Sequence, residues 1–467
     1  MKFGSFISRP KSPRLTLHLP AVLALSALLA APVYGASLDE IYNLAVNNDP
    51  QLGAANAGYK ARREGITQAR AGLLPTISVG VSRSDNKREI LSAPPPNNAP
   101  EYFDDEGWQV VLRQPLFRLD SWFTFKQSKN IEAQALAQLT AEQQELMFRV
   151  ADSYLNILEA QDRWSASNAE REAVQRQLEQ VQQRFDVGLV AITDVLESTA
   201  AFDSSTVNVI EAEGAQSVTF EALLRLTGQP FYEVASLTSE FPVELPEPRN
   251  EEAWVKAALE QNYSLLAARE GVNAAYRDVQ IARSGHLPTL DAQLSLNHNE
   301  SDALNFFGNG FESEQRTMSL QLNVPIYNGG AVNSRAKQNG YLLEQAQRNF
   351  DLTQRTVVED TRTLYTAINT DVARVNARLR GIESSQSALD ATQTGYEVGT
   401  RNIVDVLLAQ QRLFLAQFQY ASARYQYIRD TLRLKQVVGT LSPADILDLN
   451  NYMSATQTVG KIKPTTL

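Results

Sequence analysis

Four short segments of the chain alternate apolar with polar side chains, a pattern typical of strands with one apolar face. The segments lie at about residues 74–83, 107–116, 287–297 and 316–326. A length of about ten residues is that of a strand tilted across a bilayer. Pro75 and Pro288 precede the first strand of each pair, and Pro115 and Pro325 stand at the exits of the second. Proline is tolerated at strand ends because it does not interrupt the ladder there.

Between these segments, apolar residues recur every seven positions, which predicts long helices of the coiled-coil type. Segment 121–186 holds neither proline nor glycine, and segment 331–397 shows the same heptad pattern. About 65 helical residues correspond to roughly 100 Å. A glycine turn ends each long helix, and a second helix runs back from it. The predicted helices are 38–70, 121–186, 192–227, 251–283, 331–397 and 403–438.

The chain contains nearly the same arrangement twice. Residues 69–76 return as 282–289, and residues 185–188 return as 396–399. The copies lie 213 and 211 positions apart, so each repeat is half of the architecture rather than a short solenoid unit. We therefore expect two internal structural repeats, a proline-spaced linker between them and a C-terminal segment. The repeats are expected at 36–228 and 251–440, the linker at 229–250 and the C-terminal segment at 441–467.

Residues 1–35 have the composition of a secretory signal peptide. A basic start precedes the apolar run 21–31, which is too short to span a bilayer, and small residues follow within 33–35. The alternative is a short uncleaved anchor. Removal of the segment leaves 39 basic and 53 acidic residues, a formal charge of −14. An acidic exported chain is a poor nucleic-acid binder, so we expect no nucleic-acid partner.

The composition also bounds the chemistry. The chain has no cysteine, which excludes disulfides, cysteine nucleophiles and thiolate metal sites. Of the three histidines, His18 lies in the signal segment, and His286 and His298 are too few for a metal cluster or a histidine-based triad. We therefore expect no enzymatic activity, no metal and no cofactor.

Two interpretations of the strands are open at this point. They form either two amphipathic hairpins packed on a soluble core or part of a membrane β-barrel. The signal segment, the absence of cysteine and the matched strand lengths favour the barrel. Four strands are too few to close one, because about eight are needed. Several chains must therefore contribute to one barrel.

Three stretches carry a specific resemblance to a known family: GYEVGTRNIVDVL at 395–407, VPIYNGG at 324–330 and GTLSPAD at 439–445. Through them the mature chain resembles the TolC family of outer-membrane export ducts over nearly its whole length. The resemblance implies an α+β membrane protein, a homotrimer with a twelve-stranded β-barrel, four strands per chain. The barrel continues as a long α-helical coiled-coil periplasmic tunnel. A mixed equatorial belt is implied at residues 229–248 and after Gly439.

The resemblance also implies a gate at the periplasmic end, where inward-coiled helix pairs close the tunnel. The family's gate and selectivity residues fall on Tyr396, Arg401, Asp405, Thr193 and Asp194. Tyr396 and Arg401 are expected to donate hydrogen bonds to Asp194. Three copies of Asp405 would form a carboxylate ring that favours cations. Leu408 replaces the family's second acid, and Glu197 is a candidate for an additional gate charge.

Simpler explanations compete with the gate. Asp405 is the third residue after Asn402, a good N-cap, where an acid faces the helix dipole. Thr193 is itself a candidate cap for a helix that starts one or two residues later. Tyr396 lies on the heptad register and is explained equally by packing, and Arg401 by a solvated turn.

The turns at the lower ends of the hairpins correspond to the family's adaptor-contacting tips. Their residues are Val187, Gly188, Leu189, Val398, Gly399 and Thr400. The expected function is that of the outer-membrane channel of a tripartite export system, gated at the periplasmic tip. It is a passive exit duct for efflux of small molecules, type I protein secretion or both. The alternative is a secreted coiled-coil scaffold or adhesin without a pore.

The implied location is the outer membrane, with an extension into the periplasm. The implied partners are outer-membrane lipid, a periplasmic adaptor of the membrane fusion type and an inner-membrane ABC or RND-type pump. The chain carries no phosphate loop. The energy for transport must therefore come from the inner-membrane partner.

Overall fold

The computed structural model describes most of the chain. The described residues are 35–89, 101–238, 240–303 and 310–463, without the side chains at 455 and 456. Apart from Gly35, the expected signal peptide lies outside these residues, as do parts of both loops that join paired strands.

Helices dominate the described chain. They are α1 (Leu38–Asn48), α2 (Pro50–Ala71), α3 (Leu119–Asp186), α4 (Ile192–Thr227), α5 (Glu251–Gln261), α6 (Tyr263–Ser284), α7 (Ala331–Glu397), α8 (Ile403–Val438) and α9 (Pro443–Asn450). The predicted bounds of α4, α7 and α8 are confirmed. The heptad register and the glycine that follows each long helix were sufficient to locate them.

The two leading helices, each predicted as one piece, are each two helices. Asp49 ends α1 and caps α2, accepting the Leu52 N–H at 3.0 Å, with Pro50 as the first helical residue. Asn262 does the same between α5 and α6, accepting the Leu265 N–H at 2.7 Å. The prediction of unbroken helices was wrong because a residue that caps the next helix interrupts the apolar pattern only briefly.

The strands extend further toward the loops than predicted. They are β1 (Thr76–Arg88), β2 (Glu101–Phe117), β3 (Glu233–Leu237), β4 (Thr289–Ser301), β5 (Phe311–Asn323) and β6 (Met453–Gly460). Arg83 on β1 lies 3.2 Å from Asp104 and 2.8 Å from Glu106 on β2, measured from nitrogen to oxygen. Such cross-strand ion pairs continue the ladder beyond the apolar segment.

Pro115 lies inside β2 rather than at its exit. The register of β2 against β4 shifts between Pro115 and Phe117, so the missing proline N–H falls at an irregularity of the ladder. Pro75 and Pro288 directly precede β1 and β4, as predicted.

The long strands form one antiparallel sheet in the order β1-β2-β4-β5. The register aligns apolar residues of all four strands, as in the row Ile77, Leu112, Leu294 and Met318. Polar rows such as Gly80, Gln109, Asn297 and Gln315 face the other side. Ile77 is 68% exposed and Met318 is 79% exposed. The sheet therefore presents an uncovered apolar face.

The helices continue the order of the sheet. α2, α3, α6 and α7, each adjoining one strand in sequence, pack side by side in that order. α4 packs along α3, α8 packs along α7, and α3 also contacts α8. These contacts assemble two helical hairpins, α3–α4 and α7–α8. None of the helices in the described part of the chain carries an apolar stretch sufficient for a membrane crossing.

A second, small sheet lies against the middle of the hairpins. β3 pairs with β6 in antiparallel fashion, so the segments after Thr227 and after Gly439 meet here. The Tyr154 hydroxyl on α3 donates to the Ala235 carbonyl at 2.6 Å, and the Gln216 side chain on α4 donates to the Gly460 carbonyl at 2.7 Å. The main apolar core surrounds this level.

Candidate functional site

The two hairpins end in turns of the same backbone form. Gly188 has φ +76° and Gly399 has φ +79°, in the left-handed region that glycine adopts without a steric penalty. In the first turn the Leu189 N–H donates to the Arg184 carbonyl at 2.8 Å, and in the second the Thr400 N–H makes the equivalent bond at 2.8 Å. The backbone solution at both tips is therefore the same.

Both turns expose apolar side chains. Val187 is 71% exposed, and Leu189 and Val398 are each 69% exposed. The remaining predicted contact residues, Gly188, Gly399 and Thr400, are exposed with them. The predicted tip residues thus lie at the free ends of the hairpins, where no other described element covers them.

Directly above the turns, an apolar cluster joins the two hairpins. Its buried members are Val174, Val181, Val195, Leu389, Tyr396, Ile403, Val406, Leu407, Ala409 and Leu413. They come from α3, α4, α7 and α8, so the lower ends of the two hairpins are held together mainly by apolar packing across all four helices.

Tyr396 is the aromatic residue among these buried members. It is 9% exposed, and the guanidinium carbon of Arg184 lies 4.9 Å from the centre of its ring. The hydroxyl is buried and has no hydrogen-bond partner among the described residues. Burial raises the pKa of Tyr396, an effect that the charge of Arg184 opposes and that of Asp194 reinforces. Tyr396 therefore connects the second hairpin to the first through packing and a cation–π contact.

Asp405 forms a capping box with Asn402. The Asp405 N–H donates to Asn402 Oδ1 at 2.8 Å, and the Asn402 N–H donates to Asp405 Oδ2 at 3.5 Å. Arg401 Nη1 lies 3.8 Å from Asp405 Oδ2. The capping explanation of Asp405 is confirmed, and its half-exposed carboxylate still faces solvent.

The first hairpin is built differently at the equivalent place. α4 begins at Ile192 after Ala191, which makes no side-chain capping bond. Thr193 lies inside the helix, so its proposed capping role was wrong, and its hydroxyl lies 3.4 Å from Asp194 Oδ1. Asp194 is half-exposed near the tip.

Glu197 lies one turn above Asp194 on α4. It is exposed, and it lines an open groove of about 370 Å³ with Leu407 and Leu408 of α8. Leu408, at the position of the family's second acid, is 43% exposed. The carboxylate of Glu197 and the side chain of Leu408 therefore border the same groove between the hairpins.

The expected hydrogen bonds to Asp194 are not present within the described chain. Arg401 faces Asp405 on its own hairpin, and the hydroxyl of Tyr396 has no partner. The side chain that instead contacts Tyr396 from the first hairpin through a cation–π contact is Arg184, which sequence reasoning missed. One signal was available, because Arg184 aligns with Gly395 when the repeats are superposed on Phe185 and Tyr396.

Gly395 has a clear steric role. A Cβ atom built on it would lie 2.8 Å from Cγ of Arg401. A side chain at this position of the second turn would displace the side chain of Arg401, whereas the first turn carries Arg184 at the equivalent position. Arg184 thus precedes the glycine of the first turn in sequence, whereas Arg401 follows the glycine of the second turn.

Comparison with known proteins identifies the family. The family model described as outer membrane efflux protein matches residues 41–229 and 254–440. The outer membrane protein TolC of Vibrio cholerae is 37% identical over 432 residues, which cover 92% of this chain and 96% of that protein. The alkaline protease secretion protein AprF of Pseudomonas aeruginosa is 28% identical over 435 residues, covering 91% and 89%.

A solved structure shows the same fold. The CmeC outer membrane channel of Campylobacter jejuni superposes with a TM-score of 0.75 at 17% identity, covering 95% of this chain and 99% of that one. The likeness includes the sheet, the helical hairpins and the segments between them, because it spans nearly both chains. The chain belongs to the outer membrane efflux protein family.

Proposed function

We propose that this protein is the outer-membrane exit duct of a tripartite export system, a passive channel gated at its periplasmic tip. Its family is one of outer-membrane efflux and secretion channels. The alternative, a scaffold or adhesin without a pore, is not favoured by that membership. The cargo is small molecules, secreted protein or both, since relatives named for efflux and for protease secretion occur together.

The observation that carries the proposal is the four-stranded sheet. Its apolar face is uncovered, its polar face is opposite, and β1 and β5 are its edge strands, with no further strand paired to them in the described part of the chain. A free edge invites pairing with another strand, and lipid requires closure. Three copies that pair β5 with β1 of the next copy make a twelve-stranded barrel, and α2, α3, α6 and α7 continue its wall as a tunnel.

The two separate matches to the family model support the proposed duplication. Each match contains one strand pair and one long helical hairpin. A trimer of such chains therefore has six near-equivalent hairpins around its axis. This arrangement fits a tube whose wall is uniform and whose gating residues differ between alternate hairpins.

A charge on one face of β5 tests the barrel. Leu320 belongs to the apolar face and is 65% exposed, whereas Gln321 faces the other way. Leu320→Asp is expected to impair membrane assembly strongly, because a charged side chain on the lipid face is destabilising and every copy in the barrel would carry it. Gln321→Asp is expected to yield detergent-stable trimers that conduct in planar bilayers. A wild-type chain that is soluble and monomeric without detergent would refute the duct.

The exposed apolar turns are the proposed contact with a periplasmic adaptor. Val187, Leu189 and Val398 present uncovered side chains at the end of the tunnel. A partner that buries them gains free energy by the hydrophobic effect. The adaptor would connect the duct to an inner-membrane pump of the ABC or RND type, which supplies the energy.

The proposed gate consists of the apolar cluster directly above the turns and the charged residues beside it. Tyr396 and Arg184 hold the second hairpin against the first, and Arg401 and Asp405 lie on its solvent side. In a trimer, three Asp405 carboxylates around the axis would attract cations. Thr193, Asp194 and Glu197 would contribute the facing polar surface of the first hairpin.

A further inference from the structure

A buried carboxyl group lies between the two helices of the second hairpin, far from the tip. Asp371 precedes the last residue of α7 by 26 positions, which is about 40 Å of helix. Its side chain is 2% exposed. A buried carboxylate is costly unless its charge is compensated or a proton is bound.

The contacts of Asp371 leave one oxygen without a donor. Oδ1 lies 2.9 Å from Nη1 of Arg374, one turn further along α7. Oδ2 is buried and has no hydrogen-bond donor within reach among the described residues. Asp430 of α8 lies within hydrogen-bonding reach of Asp371, and its Oδ1 accepts from Gln426 Nε2 at 3.0 Å. The carboxylates of Asp371 and Asp430 therefore face each other between α7 and α8, and neither has a hydrogen to donate when both are ionised.

Arg374 compensates at most one of the two charges. Its side chain is 47% exposed, so water screens its interaction with Asp371. Of the described charged groups, Arg374 from the same helix and Asp430 from α8 are those that act on Asp371. Burial first, and then the hydrogen bond and charge of Asp430, raise the pKa of Asp371 to about 7, whereas Arg374 lowers it.

We propose that Asp371 and Asp430 share one proton and form a proton-dependent clamp between α7 and α8. With the proton bound, an O–H···O⁻ hydrogen bond joins the helices. When the proton leaves, two adjacent carboxylates repel each other and the upper part of the hairpin loosens. The first hairpin has no such pair, because the equivalent positions are Ala160 and Thr219. The clamp belongs to the hairpin that also carries Tyr396.

The direction of the pH effect follows from proton linkage. An aspartate in the unfolded chain has a pKa of about 3.9, so the folded chain binds the shared proton more tightly. The contribution to stability is complete at low pH and is lost as the pH rises from about 4 through about 7. Within that window, an equilibrium linked to one proton changes about tenfold per pH unit. An ordinary ion-paired carboxylate shows the opposite dependence.

Infrared titration of the full-length trimer in detergent tests the clamp. The wild type is expected to show the carbonyl stretch of a hydrogen-bonded carboxylic acid that disappears near neutral pH. Asp371→Asn should remove this band and preserve the contact, because the amide donates permanently to Asp430. Hydrogen exchange across α7 and α8, corrected for intrinsic rates, should then lose its pH dependence. Asp390→Asn, on the exposed face of α7, should leave both signals unchanged.

Three outcomes would overturn the proposal. The first is that no carboxylic acid band titrates near neutral pH in the wild type. The second is that the band persists in Asp371→Asn or, should that variant fail to fold, in Asp430→Asn. The third is stoichiometric binding of calcium ions at alkaline pH that Asp430→Asn abolishes, which would make the pair a cation site.

Discussion

The tips of the two hairpins share a backbone and differ in side chains. Each turns through one glycine with positive φ and closes with the same backbone hydrogen bond. The second tip adds a capping box at Asn402 and a buried Tyr396, whereas in the first tip Ala191 occupies the N-cap position of α4 and makes no side-chain capping bond. The shared backbone fits the proposed uniform wall of the duct, and the differences place the buried contact of Tyr396 on the second hairpin alone.

Of the substitutions at the two tips, truncation of Tyr396 should have the largest effect on resting conductance. Tyr396→Ala removes a buried aromatic side chain that packs across the hairpins, which costs about 3 kcal/mol or more. We expect a higher resting conductance in planar bilayers. Phe185→Ala, the matched change in the first repeat, removes a less buried ring and should have a smaller effect.

The conservative variant separates packing from hydrogen bonding. Tyr396→Phe should conduct no more than the wild type, because the hydroxyl has no hydrogen-bond partner among the described residues. If Tyr396→Phe leaks as much as Tyr396→Ala, a hydrogen bond between chains holds the gate instead.

The two glycine turns should respond equally. Gly188→Ala and Gly399→Ala each force a side chain into the left-handed region, at a cost of about 1–2 kcal/mol. Hydrogen exchange of the last turns of α3 and α7 should accelerate to a similar extent. A marked inequality would mean that the backbones are not equivalent in the assembled protein.

Substitutions at the two N-cap positions should change the stability of α8 and α4 in opposite directions. Asn402→Ala removes the capping box and should destabilise the start of α8 by about 1 kcal/mol. Ala191→Asn supplies the missing cap and should stabilise α4 by a similar amount. Local hydrogen exchange measures both, and equal signs would contradict the assigned caps.

The smallest expected change in stability accompanies a change in selectivity. Asp405→Asn keeps an oxygen that accepts the Asn402 N–H but removes the charge, so the helix should be nearly unaffected. Reversal potentials in a salt gradient should show reduced cation preference if the three carboxylates form a ring. Asp194→Asn is the matched control in the first repeat, and an equal loss there would assign selectivity to both hairpins.

The sequence predicted the long elements well because their signals are repeated many times. Heptads and the glycines that follow them located α4, α7 and α8, and alternation located the four long strands. Single-residue effects were missed. The breaks at Asp49 and Asn262 depend on one cap each, and β3 and β6 are short and pair over more than two hundred residues.

The sequence identified several residues of the candidate site but not the contacts that they make. The family resemblance indicated Tyr396, Arg401 and Asp405, yet the expected bonds to Asp194 are absent within the described chain. Arg184 was overlooked because a single arginine near a helix end is ordinary in sequence, and its stacking on Tyr396 depends on how two distant hairpins meet.

The distance between the two tips tests the central claim most directly. The chain has no cysteine, so Leu189→Cys and Val398→Cys introduce the only spin-label sites. Both positions are exposed, and double electron–electron resonance measures the distance between the two spin labels. We predict one short distance within the chain in the closed duct and a longer, broader distribution after Tyr396→Ala. An unchanged distribution in that variant would contradict the assignment of Tyr396 as the contact that holds the second hairpin closed.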